Sequence, residues 1–488
     1  MIVAALALLA LVIMASVFHK INVPVILMSL LIGIIFGSDV TGIIHLDDAV
    51  MVKEVANVAL MLILFIGGFS TKLAHFKLVM RPVALLATVG VILTALITAL
   101  IFHWVVGWEF LTAMLICSII SSTDAAAVFS ILKGKSLEKR IKTLSELESV
   151  SNDPMAVVLT LFIISLITGA GMSTTQAFLL FLWKLIGGVG MGLAVGYVAV
   201  YVFHKIRHLE AEFFYIYMFS VVFLSYSLAE VIGASGMLSS FFAGLYIGNK
   251  AIPYKKGLIA FSNILSFITN VALFILLGLL SFPRSFVNIW QQGLILFAII
   301  TLVGRPITVF LLTLLDKLNL KEKVFLSAIG IRGAVPIVLA TYPLALGLDP
   351  DHEIFNLVFF IVTLSMILQG TSIVALAKKF KLIVKEDTKA PKILELITVQ
   401  DTNYEIIELY IDEEYYEGSC LISELKLPPG TLITLIKRDG EIIAPSGSVE
   451  ILPRDTLTVL VDKHNIDMIP VEILRSFVLK NIQEQDED

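Results

Sequence analysis

Thirteen apolar runs crowd the first 381 residues, and no other feature constrains the fold of this chain as tightly. A helix that crosses a bilayer needs about 20 mostly apolar residues. The runs at 2–18, 24–37, 55–70, 82–106, 110–132, 144–169, 176–204, 212–231, 236–249, 258–281, 287–315, 323–346 and 353–378 reach or approach that length. The two shortest, 24–37 and 236–249, read as half-spans. Hydrocarbon offers no partners to backbone N–H and C=O groups, so such segments must be helical. The expectation is an all-α polytopic membrane domain. Residues 1–18 carry no basic group ahead of their apolar stretch, and His19 and Lys20 follow it. They read as a first span rather than a cleaved signal peptide.

The basic residues test that count. With loops assigned alternately to the two sides, twenty Lys and Arg fall on one side and two, Lys53 and Arg284, on the other. The positive-inside rule makes the rich side cytoplasmic. The N-terminus is then expected outside and the C-terminal part inside. Lys184, Arg305 and Arg332 remain within spans. Beyond residue 381 the composition changes. Residues 1–381 hold 25 Lys/Arg against 18 Asp/Glu, whereas residues 382–488 hold 10 against 22. A membrane domain (1–381), a linker (382–392), a small acidic α+β domain (393–470) and a C-terminal tail (471–488) are expected. A soluble enzyme, a secreted disulfide scaffold and a nucleic-acid binder are disfavoured. Cys117 and Cys420 fall in different domains and read as core residues rather than a disulfide.

Gly33 and Gly37, and Gly188, Gly192 and Gly196, have the spacing that lets helix backbones approach closely; packing inside one protomer is the plain reading. The ionisable residues inside spans say more, because each is costly in lipid unless it faces a partner or water. Counted from the inferred cytoplasmic ends, Asp124 lies about 12 Å deep, Asp153 and Arg332 about 14 Å, and Arg305 about 15 Å. Four spans distant in sequence place a charge at one depth. Helix-stabilising ion pairs would explain this, and so would a pathway; depth favours the pathway.

The sequences around these residues narrow the chemistry. Ser121, Ser122, Thr123 and Asp124 interrupt span five. Gly330, Arg332, Gly333 and Pro336 interrupt span twelve. Interrupted helices free backbone carbonyls, and paired interruptions in two halves of a transporter mark its site. If span one stands alone, spans 2–7 and 8–13 form two units of opposite orientation, in only approximate register. In span six, Glu148 and Asn152 are four apart, as are Ser149 and Asp153, so they share a face. Carboxylate, hydroxyl and amide oxygens suit a hard monovalent cation, not a soft transition metal.

Thr123-Asp124, Glu148-Ser149 with Asn152-Asp153-Pro154, Gly304-Arg305-Pro306 and Arg332-Gly333-Ala334 resemble the cation:proton antiporters of the CPA1 family, of the NhaP and NHE type, across essentially all of residues 1–381. The resemblance implies an NhaA-like fold with inverted repeats and crossed broken helices. It also implies a homodimer in the cell membrane and electroneutral alternating access that regulates cytoplasmic cation content, pH and volume. Carried over by residue, Asp153 is the main cation- and proton-binding carboxylate. Asp124 and the Thr123 carbonyl help form the site, and Ser149 is a further oxygen ligand, so Asp153, Asp124 and Ser149 would hold the monovalent cation. Asn152 stands where electrogenic relatives carry a second Asp. Glu148 is a structural acid paired with a basic residue, Arg332 preferred over Arg305. Some NhaP-type members carry an acid in span three, but here that stretch is Leu64-Phe65-Ile66-Gly67-Gly68-Phe69.

After the linker, β-rich runs at 393–399, 405–411, 431–437, 441–444 and 456–461, with Asp439-Gly440 as a hairpin signal, lead to a second resemblance. Residues 427–438, Pro445-Ser446-Gly447 and Arg454-Asp455-Thr456-Leu457 resemble the TrkA-C (RCK C-terminal) domain. Such domains are dimeric regulatory modules, and some bind nucleotides such as cyclic di-AMP. No Gly-x-Gly-x-x-Gly opens a dinucleotide-binding half. This domain and the missing span-three acid favour K+, with Na+ as the alternative and no resident cofactor. Two other classes fail on sequence. A regulated potassium channel needs a filter such as TVGYG, and an intramembrane aspartyl protease a Gly-x-Gly-Asp setting; neither is present.

Overall fold

A computed structural model of the chain describes residues 9–14, 16, 25–44, 48–73, 79–132, 136–169, 174–384, 392–394, 404–412, 419–438, 441–473, 475 and 476. Most of the first apolar run, the linker and the Asp439-Gly440 hairpin signal lie outside the described residues. The chain divides into two units, Met1–Ile252 with Leu258–Val384, and Pro253–Gly257 with Lys385–Asp488.

The first unit is helical. Its helices are α1 (Val25–Phe36), α2 (Ala49–Ser70), α3 (Met80–Ala87), α4 (Val89–Val106), α5 (Phe110–Ile119), α6 (Ala125–Ile131), α7 (Lys139–Ile167), α8 (Thr174–Lys205), α9 (Ala211–Val231), α10 (Gly236–Gly248), α11 (Lys255–Leu279), α12 (Phe286–Ile299), α13 (Arg305–Leu312), α14 (Leu320–Ala328), α15 (Ala334–Ala345) and α16 (Glu353–Lys379). Among the described residues, eight helices are long and apolar enough to cross a membrane, and four shorter apolar ones accompany them.

Four of the apolar runs are interrupted in the structure. Residues 110–132 and 323–346 break at 120–124 and 329–333, as the Gly and polar residues there predicted. The run 82–106 also breaks, at Thr88 (φ −114°, ψ −80°), between α3 and α4. The run 287–315 carries a π-helical turn, Ile300–Gly304, just before Arg305; such turns are rare and concentrate at functional sites. The breaks at 120–124 and 329–333 fall in spans five and twelve. Units 2–7 and 8–13 would put them out of register, whereas pairing spans 1–6 with 8–13 makes each the fifth member and leaves α8 as the connector.

The spaced glycines close helix contacts within this unit. A Cβ on Gly192 would meet the Ser239 carbonyl, and one on Gly188 the Ser235 carbonyl at 2.9 Å, so α8 lies backbone to backbone on α10. The other face of α10 meets α2 the same way, through Gly244 against Phe65 and Gly68 against Phe241. Strand β1 (Ser136–Leu137) pairs with β2 (Ile383–Val384), tying the start of α7 to the end of α16.

In the second unit, β3 (Lys392–Leu394), β4 (Tyr404–Tyr410), β6 (Leu432–Arg438), β7 (Glu441–Ile443) and β9 (Thr456–Asp462) form an antiparallel sheet in the order β3-β4-β9-β6-β7. A separate ribbon joins β5 (Cys420–Leu421) and β8 (Glu450–Ile451). Alternate residues of the long strands point to one face: Ile407 and Leu409, Ile433 and Ile436, Leu457, Val459 and Val461 make the core, covered by Ile469 and Ile473. Between Ile433 and Leu435 the register slips, a bulge that the sequence pattern did not reveal. Arg438 grips Asp455 with two hydrogen bonds of 2.8 Å, a planar fork on a buried carboxylate.

Candidate functional site

Two helix breaks meet at the centre of the helical unit. The Asp124 N–H donates to the Ile331 carbonyl at 2.7 Å, joining one break to the other. Arg332 reaches across in the opposite sense, its Nη1 donating to the carbonyls of Ser121 (2.7 Å) and Ser122 (2.6 Å). Its own N–H donates to Ser365 Oγ on α16 at 3.1 Å. These contacts satisfy groups that an interrupted helix leaves orphaned. They also balance charge. The guanidinium sits at the negative end of α5, while Asp124 caps α6, with Oδ1 accepting from Ala127 N–H at 3.0 Å. A Cβ at Gly333, the first residue ahead of α15, would meet Asp124 Cγ at 2.8 Å. The carboxylate therefore lies against the positive ends of two helices.

Helix α7 holds the first break in place. Ser149 Oγ donates to the Thr123 carbonyl (2.6 Å) and accepts from Ala125 N–H (2.8 Å). Asn152 uses both ends of its amide on Thr123: Nδ2 donates to Thr123 Oγ1 at 2.8 Å and Oδ1 accepts from Thr123 N–H at 3.3 Å. Asp153 follows on the same helix, and Pro154 has no N–H to give to the Val150 carbonyl. Asp153, Asp124, Thr123 and Ser149 all line one cavity of about 560 Å³. The sequence-predicted residues Asp153, Asp124, Thr123 and Ser149 thus converge on one shared space. Asn152 is fully buried behind them.

The partner of Glu148 differs from the expectation. Its Oε1 forms an ion pair with Arg305 Nη2 at 2.8 Å, both side chains almost wholly buried. Arg332, the expected partner, is held by the Ser121 and Ser122 carbonyls. Gly330 makes the pairing possible, since a Cβ there would come within 2.7 Å of Arg305 Nε. Glu148 does not line the cavity with Asp153.

Sequence reading missed the facing wall. Asn263, Ser266 and Asn270 of α11 line the same cavity, as do Glu146 and Ser70. The signal was present: three polar residues at i, i+3 and i+7 interrupt the apolar run 258–281 on one face. Among the described residues, no group of three or more His, Cys, Asp or Glu is placed to hold a metal ion.

Comparison with known proteins gives consistent results. Residues 5–379 match the family described as sodium/hydrogen exchanger, transmembrane, and residues 420–469 match the TrkA-C domain. The chain is 33% identical over 465 residues to the K(+)/H(+) antiporter NhaP2 of Shewanella sp. (strain ANA-3), covering 94% of this chain and 80% of that one. It is 31% identical over 392 residues to the K(+)/H(+) antiporter NhaP of Alkalimonas amylolytica, covering 80% and 68%. In structure it resembles the sodium proton antiporter MjNhaP1 from Methanocaldococcus jannaschii, with TM-score 0.68, 24% identity, and 78% and 99% of the two chains covered.

Proposed function

The chain belongs to the sodium/hydrogen exchanger family, and from that membership and the geometry of the crossed breaks we propose that it exchanges a monovalent cation, preferentially K+, for protons by alternating access. The observation that carries this reading is Asp153 in a roomy cavity beside the oxygens of Thr123 and Ser149. One carboxylate that binds either a proton or a cation, but not both, suffices to couple their movements. Asp124 and Arg332 hold the breaks together, Asn152 clamps Thr123, and the Glu148–Arg305 pair fixes α7 against the π-helical turn. K+ preference draws on the names of the two curated relatives and on the absence of an acid in residues 64–69.

Residues 1–381 carry transport in a multi-pass arrangement in the cell membrane, N-terminus outside, with the basic loops and the C-terminal part in the cytoplasm. The stretch between β2 and β3 is the linker, and residues 393–470 form a regulatory TrkA-C module that joins two copies in a homodimer, with sensing of a nucleotide such as cyclic di-AMP as the other role open to it. Asp153→Asn tests the central assignment. Reconstituted in vesicles with a trapped pH dye, the folded variant is expected to show no cation-driven proton movement. Exchange at the wild-type rate would remove Asp153 from the mechanism.

A further inference from the structure

The cavity at Asp153 has two walls of different chemistry. One carries Asp153, Asp124, Thr123 and Ser149, with Glu146 further along α7. The other, apart from Ser70, presents polar groups from α11 alone: Asn263, Ser266 and Asn270. They rise one above another along the helix. Counted from Lys255, they stand about 12, 16 and 22 Å along α11. Asn263 therefore lies nearest the end proposed to be cytoplasmic and Asn270 farthest from it, and all three share the cavity with Asp153.

Asn270 is also oriented. Its Nδ2 donates to the Ser266 carbonyl at 2.8 Å and to Ser266 Oγ at 3.3 Å. With the nitrogen turned back on its own helix, the amide's other end, Oδ1, is directed away from it. A planar amide held at one edge offers its oxygen with little further loss of side-chain freedom.

We propose that Asn263, Ser266 and Asn270 form the second, neutral half of the cation path, with Asn270 Oδ1 as the selectivity-setting oxygen in the cavity it shares with Asp153. The proposal rests on the antiport reading above and deepens it. A cation reaching Asp153 sheds water, and the oxygens that replace it decide which ion gains. Smaller Na+ loses more hydration energy than K+ and needs a stronger field in return. Amide and hydroxyl dipoles supply a weaker field than a second carboxylate would. The number and strength of coordinating dipoles set selectivity of this kind. An uncharged wall, in place of a further carboxylate, thus favours the larger ion.

The test uses the full-length protein in proteoliposomes with a trapped pH dye, titrated separately with K+ and Na+. Losing one neutral oxygen contact costs about 0.5–1.5 kcal/mol, so Asn270→Ala is expected to raise the half-saturating K+ concentration about two- to tenfold with the maximal rate retained. Ser266→Ala shifts it the same way by less. Asn270→Asp is expected to move the K+/Na+ preference toward Na+. Half-saturation unchanged for both cations in Asn270→Ala and Ser266→Ala would overturn the proposal, as would a loss of maximal rate with half-saturation unchanged, which marks a packing role. If Asn270→Ala does not yield folded protein, Ser266→Ala and the exposed Asn263→Ala decide by the same criterion. Wild type and Asp153→Asn run alongside. A silent wild type overturns the antiport reading itself and an active Asp153→Asn removes Asp153 from it, whereas failure of the α11 variants alone leaves both standing.

Discussion

Glu148 is only 2% exposed, and it is tolerable there because Arg305, 8% exposed, lies 2.8 Å away. Removing one member of a buried pair leaves the other charge uncompensated, a cost of about 3–5 kcal/mol. Glu148→Gln is therefore expected to melt in detergent well below Asp153→Asn, whose side chain faces the cavity. Equal melting temperatures with an inactive Glu148→Gln would make Glu148 a transport residue instead. Exchanging the charges, Glu148→Arg with Arg305→Glu, is expected to recover more stability than Glu148→Arg with Arg332→Glu. The guanidinium of Arg332 must donate to the Ser121 and Ser122 carbonyls, and a glutamate at that position cannot. This choice was hidden in the sequence. Both arginines sit at one depth beside a Gly and a Pro, and only the packing of Gly330 against Arg305 and the reach of Arg332 across the breaks tell them apart. Asp153, Asp124, Ser149 and Asn152 were legible for the opposite reason: polar groups in an apolar span stand out against lipid. Ser149 and Asn152 were noticed beside charged neighbours, whereas the run 258–281 has no charged residue to draw attention to the amides of α11.

At the scale of elements, α10 is wedged between α2 and α8 by glycines on both of its faces. A Cβ on Gly244 would meet the carbonyl carbon of Phe65 at 3.0 Å and the Phe69 nitrogen at 3.1 Å, and both belong to backbone that cannot swing aside. Overpacking of this kind typically costs about 1–3 kcal/mol, so Gly244→Ala is expected to lower the melting temperature and to slow exchange by spreading α2 from α10. A Cβ on Gly190 of α8 would meet nothing within 4 Å. There the higher helix propensity of alanine, worth up to about 1 kcal/mol, leaves Gly190→Ala as stable as wild type or more so. Similar melting curves for the two variants would mean that the α2–α10 contact yields freely. Apolar length placed the helices, since bilayer thickness dictates it. It could not place the break at Thr88, which has no polar or Gly/Pro run to announce it, nor the π-helical turn at 300–304, although Gly304-Arg305-Pro306 marks its end. In the β-rich part, strands 404–410, 432–438 and 456–462 lie within a residue of the alternation that predicts them, whereas the bulge at Ile433/Leu435 needs the register of a neighbouring strand to exist at all.

For the molecule as a whole, the decisive quantity is how much charge crosses the membrane per cycle. The cavity holds Asp153 with Asn152, not a second acid, beside it on α7. Asp124 also lines that space, yet its charge already answers two helix N-termini, accepting from Ala127 and lying against Gly333. Neutralising it would leave those ends uncompensated, which makes it a poor place to carry a proton through the cycle. Glu146 lines the cavity too, but about 10 Å from Asp153 along α7, too far to share one ion with it. Across the cavity, Asn263, Ser266 and Asn270 have no charge to exchange. One cation then replaces one proton at one carboxylate, and the two half-cycles move the same net charge in opposite directions. Carrying an elementary charge across 100 mV is worth about 2.3 kcal/mol, so any imbalance must appear as a response to voltage. In vesicles clamped at different membrane potentials, the equilibrium ratio of internal to external cation is expected to follow the proton ratio alone and not the potential. A ratio that shifts with potential would mean that a second group, Asp124, Glu146 or Lys184 of α8, titrates during the cycle, and a mechanism resting on Asp153 alone would have to be abandoned.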